Sequence, residues 1–350
     1  MREHTIRLVN GKQFAAKPDV TLLDAALAAG LTLEHGCRTG RCGSCKTHVS
    51  AGQTERIRPD SYLSSSQRQN GWVLTCADAA RSDGAISAED LSALLGISAK
   101  TWPARIDQIS LLAPDVCRVV LRLPPNAGLK FLAGQYVNII GRGGLRRSYS
   151  MANAPQADGK LEFFIRRIEA GSMSGYWFDE ARTGDLLRVD GPHSTFFLRD
   201  VAGQDVILLA TGTGIAPIKA MLADLASRPA AQQPSTLQLL WGGRRPVDLF
   251  WVPDASAPGQ LKYTPVLSRA DATWTGARGH VQDVLLRQLP RLDAAQVYAC
   301  GSPAMLAAAQ DTLLAAGLPA QAFHADAFVC SDADAGATAG VKTGAVAIPA

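Results

Sequence analysis

Four unequally spaced cysteines constrain this 350-residue chain more than any other feature of its sequence. They are Cys37, Cys42, Cys45 and Cys76, which gives the spacing Cys-x4-Cys-x2-Cys-x30-Cys. The first three are close enough for one loop to wrap their thiolates around a single inorganic core, and the fourth closes the site from a separate element. This is the spacing of a plant-type [2Fe-2S] cluster, so the sequence predicts one here.

Glycines around these cysteines favour the same interpretation. Gly36, Gly40 and Gly43 allow the backbone to fold tightly and to turn its N–H groups toward sulfur atoms. The alternatives are unpaired core thiols and a structural zinc site, but zinc usually takes two close Cys or His pairs, and the sequence has a single Cys-x2-Cys pair. We expect His35 to be solvated rather than a ligand. The remaining cysteines stand apart from this group: Cys117, Cys300 and Cys330.

Composition indicates a globular protein of two or three domains. Apolar residues make up 47% and charged residues 19% of the chain, which is enough apolar sequence for several packed cores. The net charge is only +4 and no long basic run occurs, which argues against a nucleic-acid partner. We find neither a signal-peptide pattern nor an apolar window of the roughly 18 residues that a membrane span needs. We therefore expect a cytoplasmic protein, where grouped cysteines bind metal rather than form disulfides.

The periodicity of the first region predicts a compact domain over residues 1–92. The stretch HTIRLVNGKQFAAK reads as two strands joined by an Asn-Gly turn. Thr21 is placed to cap a helix that Gly30 ends. After the cysteine loop, WVLTCADA is predicted to be a strand that carries the fourth cysteine. Residues 93–101 read as a linker.

Two further domains follow in the pattern. Residues 102–200 contain short β-branched segments punctuated by Pro and Gly, which predicts a small antiparallel β-barrel. Residues 201–330 alternate apolar strands such as VILLA with helical sequence, which predicts a parallel sheet with helices on both faces. Residues 331–350 are mostly Ala, Gly, Asp and Thr, and we interpret them as a mobile tail.

The barrel region carries two segments suited to a flavin. Arg147-Ser148-Tyr149-Ser150 ends a predicted strand, where an Arg suits a diphosphate, an aromatic ring lies flat on a flavin, and a hydroxyl bonds a ring nitrogen. Further on, Gly171 precedes small residues that open a helix, whose free N–H groups suit a phosphate. Either segment alone is weak, because a strand end and a capped helix explain it equally well.

The third region carries a glycine-rich loop between a strand and a helix. Thr211-Gly212-Thr213-Gly214 allows close approach of a pyrophosphate, although Pro217 stands where a dinucleotide fingerprint has its third glycine. A second strand of the same sheet ends at Cys300-Gly301, and such strand ends line the ligand crevice. A buried structural thiol is the alternative role for Cys300.

Taken together, these motifs resemble the ferredoxin–NADP reductase superfamily over residues 4–328, and most closely its three-domain reductases. The resemblance implies a β-grasp ferredoxin domain, an antiparallel β-barrel flavin domain and a parallel-sheet nucleotide-binding domain. It also implies roles for individual residues at the FAD and nucleotide sites. The FAD residues are Arg147, Tyr149, Ser150, Gly171, Met173 and Ser174, with Arg167 nearby and Phe328 covering the flavin. The nucleotide residues are Gly212, Thr213, Gly214, Pro217, Cys300 and Gly301.

The function implied is electron transfer from NAD(P)H through FAD and the cluster to a partner protein. In that scheme Ser150 positions the flavin and Cys300 shapes the nicotinamide pocket, and no general base is needed. The resemblance favours NADH, although Arg244 and Arg245 follow a strand near the expected ribose and would suit the 2′-phosphate of NADPH.

The implied partner is either the dehydrase of CDP-dideoxysugar synthesis or an aromatic-ring oxygenase or hydroxylase. CRTGRCGSCK, WVLTCADAARSD and FHADAF resemble the sugar-pathway reductases somewhat more. Transient docking suits a monomer. The alternatives are a redox sensor or electron-storage module without turnover, and a flavohydroxylase that acts on a small molecule.

Overall fold

A computed structural model describes residues 2–92, 96–254, 257–289 and 291–328. The predicted tail, 331–350, and Cys330 lie outside the described residues. Three sheets of five or six strands organise the chain, together with a small two-stranded ribbon. In the described part of the chain, no helix combines the length and the apolar character needed to cross a membrane.

The first sheet contains five strands in the order β2-β1-β7-β3-β5, and the pair β4-β6 lies beside it. Its elements are β1 His4–Arg7, β2 Gln13–Ala16, α1 Leu22–Ala28, β3 Lys46–Ala51, β4 Thr54–Arg56, α2 Ser65–Gln69, β5 Trp72–Leu74, β6 Asp78–Ala80 and β7 Gly84–Ile86. The predicted hairpin is confirmed, since β1 pairs antiparallel with β2. The parallel pairing of β1 with β7 then closes a sheet against which α1 packs.

Helix α1 begins and ends where the sequence predicts. The Thr21 hydroxyl accepts the N–H of Asp24 at 3.1 Å, which satisfies one of the N–H groups left free at a helix start. Gly30 then adopts a left-handed φ of 78°, a conformation that glycine reaches without steric cost. One detail of the prediction is wrong, because β5 ends at Leu74 and Cys76 lies in the turn before β6.

The second sheet is antiparallel throughout, with six strands in the order β11-β10-β13-β8-β9-β12 that enclose a barrel-like core. Its elements are β8 Lys100–Ala113, β9 Val116–Arg122, β10 Tyr136–Ile140, β11 Arg146–Ser150, β12 Lys160–Arg166, α3 Ser172–Gly175 and β13 Leu186–His193. Strand β8 already begins inside the predicted linker, because Lys100 pairs with Gly191 of β13.

The third sheet is parallel, with six strands in the order β17-β16-β15-β14-β18-β19. Its elements are β14 Asp205–Thr211, α4 Ile215–Ser227, β15 Thr236–Gly243, β16 Leu261–Leu267, β17 Ala277–Arg278, α5 Val281–Gln288, β18 Ala295–Gly301, α6 Pro303–Ala315 and β19 Phe323–Ala327. Separate apolar cores hold α4 on one face and α5 with α6 on the other. The predicted three-part fold is therefore confirmed.

The cysteine loop of the first domain packs between the barrel and the parallel-sheet domain. His35 and Thr195 exchange hydrogen bonds, with the His35 N–H donating to the Thr195 hydroxyl at 2.9 Å and the Thr195 N–H donating to the His35 carbonyl at 3.1 Å. The Ser44 hydroxyl donates to the carbonyl of Ala325 in β19 at 3.0 Å. The hydroxyl of Tyr62 donates to Gln310 of α6 at 3.1 Å. These contacts fix the loop against the barrel and the parallel sheet together.

Candidate functional site: a thiol loop and two adjoining cavities

The four cysteine thiols lie in one place and form two pairs. The Sγ atoms of Cys45 and Cys76 are 3.3 Å apart. Cys37 and Cys42 make the first pair in chain order, and the backbone N–H of Cys37 donates to the Sγ of Cys42 at 3.3 Å. A [2Fe-2S] core has two irons that each take two protein thiolates, so two adjacent pairs fit it.

The surroundings of these thiols also fit an anionic cluster. Thr39 donates its backbone N–H to the Sγ of Cys37 at 3.4 Å. An S–H from Cys42 and the N–H of Thr39 lower the pKa of Cys37 to about 5, although burial acts in the opposite direction. The S–H of Cys45 likewise lowers the pKa of Cys76. One thiol of each pair is therefore held in an environment that favours the thiolate, which is the form that binds iron.

Two glycines of the loop have no room for a side chain. A Cβ on Gly40 would lie 2.3 Å from the carbonyl oxygen of Pro59, and one on Gly43 would lie 2.1 Å from the ring of Tyr62. Both also adopt left-handed φ angles, 73° and 77°. Glycine is therefore required at both positions for two reasons: the loop turns tightly there, and it packs closely against residues 59–62.

One residue of this region is less exposed to solvent than the sequence predicts. His35 is only 8% exposed, and its Nδ1 lies 2.7 Å from the carbonyl oxygen of Leu33, so the prediction of a solvated side chain is wrong. This burial results from tertiary structure, because Thr195 of the barrel hydrogen-bonds to the backbone of His35. Cys42, Cys45 and Cys76 are buried, whereas Cys37 is half-buried and faces a cavity.

That cavity, of about 530 Å³, lies between the barrel and the cysteine loop. It brings together every residue predicted for the flavin from the two barrel segments and the C-terminal aromatic. These residues are Arg147, Tyr149, Ser150, Arg167, Gly171, Met173, Ser174 and Phe328. The wall thus combines cations, an aromatic ring, a hydroxyl and a helix start, which is a donor set that fits a flavin dinucleotide.

Local contacts hold these groups in position. Arg167 forms a two-pronged ion pair with Asp179, with N···O distances of 2.8 and 2.7 Å. The indole of Trp177 donates to the Tyr149 hydroxyl at 3.1 Å. Ser174 lies in the first turn after Gly171, and its hydroxyl contacts the backbone of Ile168. A Cβ on Gly171 would lie 2.7 Å from that hydroxyl, so glycine keeps this helix start compact.

A second cavity, of about 570 Å³, lies at the carboxyl edge of the parallel sheet. Among the residues predicted for the nucleotide, Gly212, Thr213 and Gly301 line it. Gly214, Pro217 and Cys300 are buried behind these and are absent from the described lining of either cavity. Burial raises the pKa of the Cys300 thiol well above its ordinary value, so this thiol is neutral. The predicted role of Cys300 remains a prediction.

The two cavities adjoin each other and the cysteine loop. Arg166, Thr213 and Phe328 line both cavities. At the opposite end, Cys37 and Thr39 of the cysteine loop line the flavin cavity. A group bound in the middle cavity would therefore lie next to both the nucleotide cavity and the thiols.

Sequence reasoning missed three residues of this arrangement. Tyr136 lines the flavin cavity and donates its hydroxyl to the carbonyl of Gly36 at 3.2 Å. Asp326 is fully buried behind Cys37, and burial raises its pKa to about 7, with the negative charge of Cys37 acting in the same direction. Asp248 accepts the backbone N–H groups of Arg244 and Arg245 at 2.8 and 3.0 Å. None of the three belongs to a sequence motif, so only the fold identifies them.

The fold and the three adjoining sites define an electron-transfer flavoprotein. Models of three domain families match consecutive parts of the chain. They are the 2Fe-2S iron-sulfur cluster binding domain over residues 8–80, the oxidoreductase FAD-binding domain over 103–198 and the oxidoreductase NAD-binding domain over 208–311.

Whole-length relatives give the same result. The chain is 37% identical over 327 residues to the CDP-6-deoxy-L-threo-D-glycero-4-hexulose-3-dehydrase reductase of Yersinia pestis, covering 92% of this chain and 97% of that protein. It is 33% identical to reductase component 1 of terephthalate 1,2-dioxygenase from Comamonas, covering 91% and 95%. The crystal structure of a cytochrome P450 reductase of Amycolatopsis superposes with a TM-score of 0.69 at 27% identity, covering 93% and 98%.

The chain belongs to the three-domain reductases of the ferredoxin–NADP reductase superfamily. It is an NAD(P)H-dependent iron–sulfur flavoprotein reductase whose cofactors are a [2Fe-2S] cluster, FAD and NAD(P)H. The alternative of a redox sensor is not favoured, because the relatives of this chain are named as reductases. The predictions of fold, cofactors and reaction class are confirmed.

Proposed function

We propose that this reductase passes electrons from NAD(P)H through FAD to its own cluster, and from the cluster to a partner protein. The observation that carries the proposal is the position of the flavin cavity, which shares Arg166, Thr213 and Phe328 with the nucleotide cavity and Cys37 with the thiol loop. Bound FAD exchanges electrons in twos or singly, whereas NAD(P)H gives two at once and the cluster takes one. This cavity order supports the electron order.

The side chains of the middle cavity have distinct proposed roles. Arg147 and Arg167, with the helix start after Gly171, would hold the FAD phosphates. Tyr149 and Ser150 end strand β11 and would face the ring system. Phe328 lies between the cavities, where its ring would separate the flavin from the nicotinamide until the nucleotide binds.

The partner proposed first is the dehydrase of CDP-sugar deoxygenation. The reductases named for that reaction are 37% identical to this chain, whereas the terephthalate dioxygenase components are 33% identical. An oxygenase or hydroxylase component is the second candidate, because xylene/toluene and phenol enzymes also supply relatives at 30% identity. We also propose a cytoplasmic monomer, supported by free thiols at the described cysteines and by a function that needs transient docking.

Turnover with purified partners tests this assignment. The reductase would be mixed with a pyridoxamine-dependent CDP-sugar dehydrase and its sugar substrate, or with a terephthalate dioxygenase and terephthalate. We expect NAD(P)H consumption matched by deoxysugar product in the first mixture, at least about tenfold faster than product formation in the second, because docking faces differ in affinity between partners. The reverse ratio would assign the oxygenase role instead.

The nucleotide preference depends on Arg244, which lines the nucleotide cavity, whereas Arg245 does not. Both are exposed, and both backbone N–H groups donate to Asp248, so the two form a matched pair. We expect Arg244→Gln to raise the KM for NADPH about tenfold and to change the KM for NADH by less than about twofold, because a 2′-phosphate loses a charge-assisted bond. Arg245→Gln should change neither. Equal losses with both nucleotides in Arg244→Gln would contradict a role in reading the 2′-phosphate.

A further inference from the structure

The two thiol pairs have different surroundings. Cys37, of the first pair, lines the flavin cavity together with Thr39. Cys76, of the second pair, lies beside the residues that follow β4. There the N–H groups of Ile57 and Arg58 both donate to the carbonyl of Ala77, at 2.9 and 3.1 Å. If electrons enter the cluster from the flavin side, the Cys45–Cys76 side is the one from which they leave.

Exposed arginines lie beside this second pair, and Arg58 is close enough to Cys76 for its charge to act on that thiol. Arg58 and Arg38 each donate to one carboxylate oxygen of Asp24, both at 2.7 Å. The side chains of Arg58 and Arg38 are 47% and 40% exposed, whereas that of Asp24 is 23% exposed. Arg56, two residues before Arg58, is also exposed. One shared carboxylate leaves this bridge with a net positive charge.

Other acidic groups close to this surface do not cancel that charge. Asp60 and Asp78 both pair with Arg68, and their side chains are 0% and 2% exposed, so they lie beneath the surface. Glu55 is paired with Arg81 at 2.5 Å. Of these acidic side chains, Asp24 and Glu55 reach solvent, and each is paired with arginine.

The conformation of Arg38 gives an independent indication. Its φ is 59°, in the left-handed region that only glycine enters without steric cost. A glycine would satisfy the turn at this position, yet the chain presents a long cation there and anchors it on Asp24. Non-glycine residues in this region persist where the surrounding structure holds them, often at functional sites.

We propose that the face formed by Arg38, Arg56 and Arg58 over the Cys45–Cys76 pair is the docking surface for the electron acceptor, and that the acceptor presents carboxylates around its own redox centre. The inference rests on the proposed exit of electrons through the cluster. Guanidinium groups pair with carboxylates through two parallel hydrogen bonds, which gives orientation as well as attraction. Opposite charges on two docking faces also raise the association rate, and this effect weakens with salt.

Two heme proteins of opposite surface charge serve as probes: an acidic cytochrome b5 and a basic cytochrome c. Each accepts one electron, so one NADH is oxidised to NAD⁺ and H⁺ for every two cytochromes reduced. The quantity measured is the ratio of the two second-order rate constants, acidic over basic, in the same holoenzyme preparation. This ratio cancels any difference in flavin or cluster content. Loss of both rates in Cys42→Ser would establish that the electrons leave through the cluster.

We expect the wild-type ratio to fall as salt rises from about 10 mM to about 300 mM, since surface charges are screened over that range. Arg38→Gln/Arg58→Gln should lower the low-salt ratio about three- to tenfold, and Asp24→Asn should raise it, because it unmasks both arginines. If the bridge between Arg38, Asp24 and Arg58 had only a structural role, the double arginine variant and Asp24→Asn would both impair the protein. Arg122→Gln/Arg291→Gln removes the same net charge from the other two domains, from pairs with Asp107 and Asp293, and should leave the ratio within about twofold.

Each outcome decides between the two claims. A ratio that is unchanged in Arg38→Gln/Arg58→Gln, or equally lowered in the control pair, would overturn the docking surface while leaving the electron order intact. Reduction of both cytochromes at the wild-type rates by Cys42→Ser would overturn the exit through the cluster, and the docking surface with it.

Discussion

Replacing Cys42 with serine is expected to lower NAD(P)H-dependent reduction of a protein partner at least about a hundredfold. Changes to groups that merely orient a metal ligand cost 10- to 100-fold in metal affinity, and loss of a ligand costs at least as much. Cys42 is buried beside Cys37 in the pair that faces the flavin cavity. Reduction of bound FAD by NAD(P)H should change by less than about threefold, because the nucleotide and flavin cavities are built mostly by the other two domains.

Cys117→Ser is the matched control for this variant. Cys117 is equally buried but lies in the core of the barrel. It should lose some thermal stability, since a hydroxyl replaces a thiol among apolar side chains, and it should keep the cluster spectrum and partner reduction. If Cys42→Ser slowed flavin reduction as much as partner reduction, the cluster would not be the last carrier in the chain.

Gly214→Ala is expected to slow flavin reduction by NAD(P)H about a hundredfold while the bound FAD and the cluster stay at full occupancy. A Cβ at this position would lie 2.3 Å from the carbonyl oxygen and 2.7 Å from the carbonyl carbon of Cys300. Both are backbone atoms of β18, so the glycine-rich loop has to move instead. A misplacement of about 1 Å between reacting groups costs a factor of about 10² in rate. A single-turnover experiment that monitors flavin absorbance measures this rate of reduction.

Gly259→Ala tests whether the loss is specific. A Cβ on Gly259 would meet nothing within 4 Å, and its backbone is not left-handed. We expect the rate in this variant to stay within about twofold of wild type. A Gly214→Ala protein with normal flavin reduction would show that close packing of the loop on Cys300 is irrelevant to nucleotide placement.

The parts of the fold that the sequence predicted are those set by local chemistry. The hairpin β1–β2, the Thr21 cap and the strand-to-helix loop at Gly212 each depend on a few adjacent residues. The residues predicted for the flavin also lie together in one cavity, because Arg147-Ser148-Tyr149-Ser150 and the turn at Gly171 are short motifs.

What the sequence could not predict depends on segments that are distant along the chain. Tyr136 contacts the backbone of Gly36, and Asp326 lies behind Cys37, across separations of 100 and roughly 290 positions. The burial of His35 has the same origin, since its partner Thr195 is in the barrel. Cys300 has a motif that marks a strand end at the crevice, and its thiol is buried in an apolar core, so its predicted role at the nicotinamide stays a prediction.

The order of electron transfer is tested most directly by mixing the oxidised holoenzyme with NAD(P)H without oxygen and following flavin and cluster absorbance separately in one single-turnover experiment. The account predicts that flavin absorbance falls first and that the cluster signal follows it, with the second phase absent in Cys42→Ser. A cluster that is reduced before the flavin, or in a protein stripped of FAD, would contradict the account.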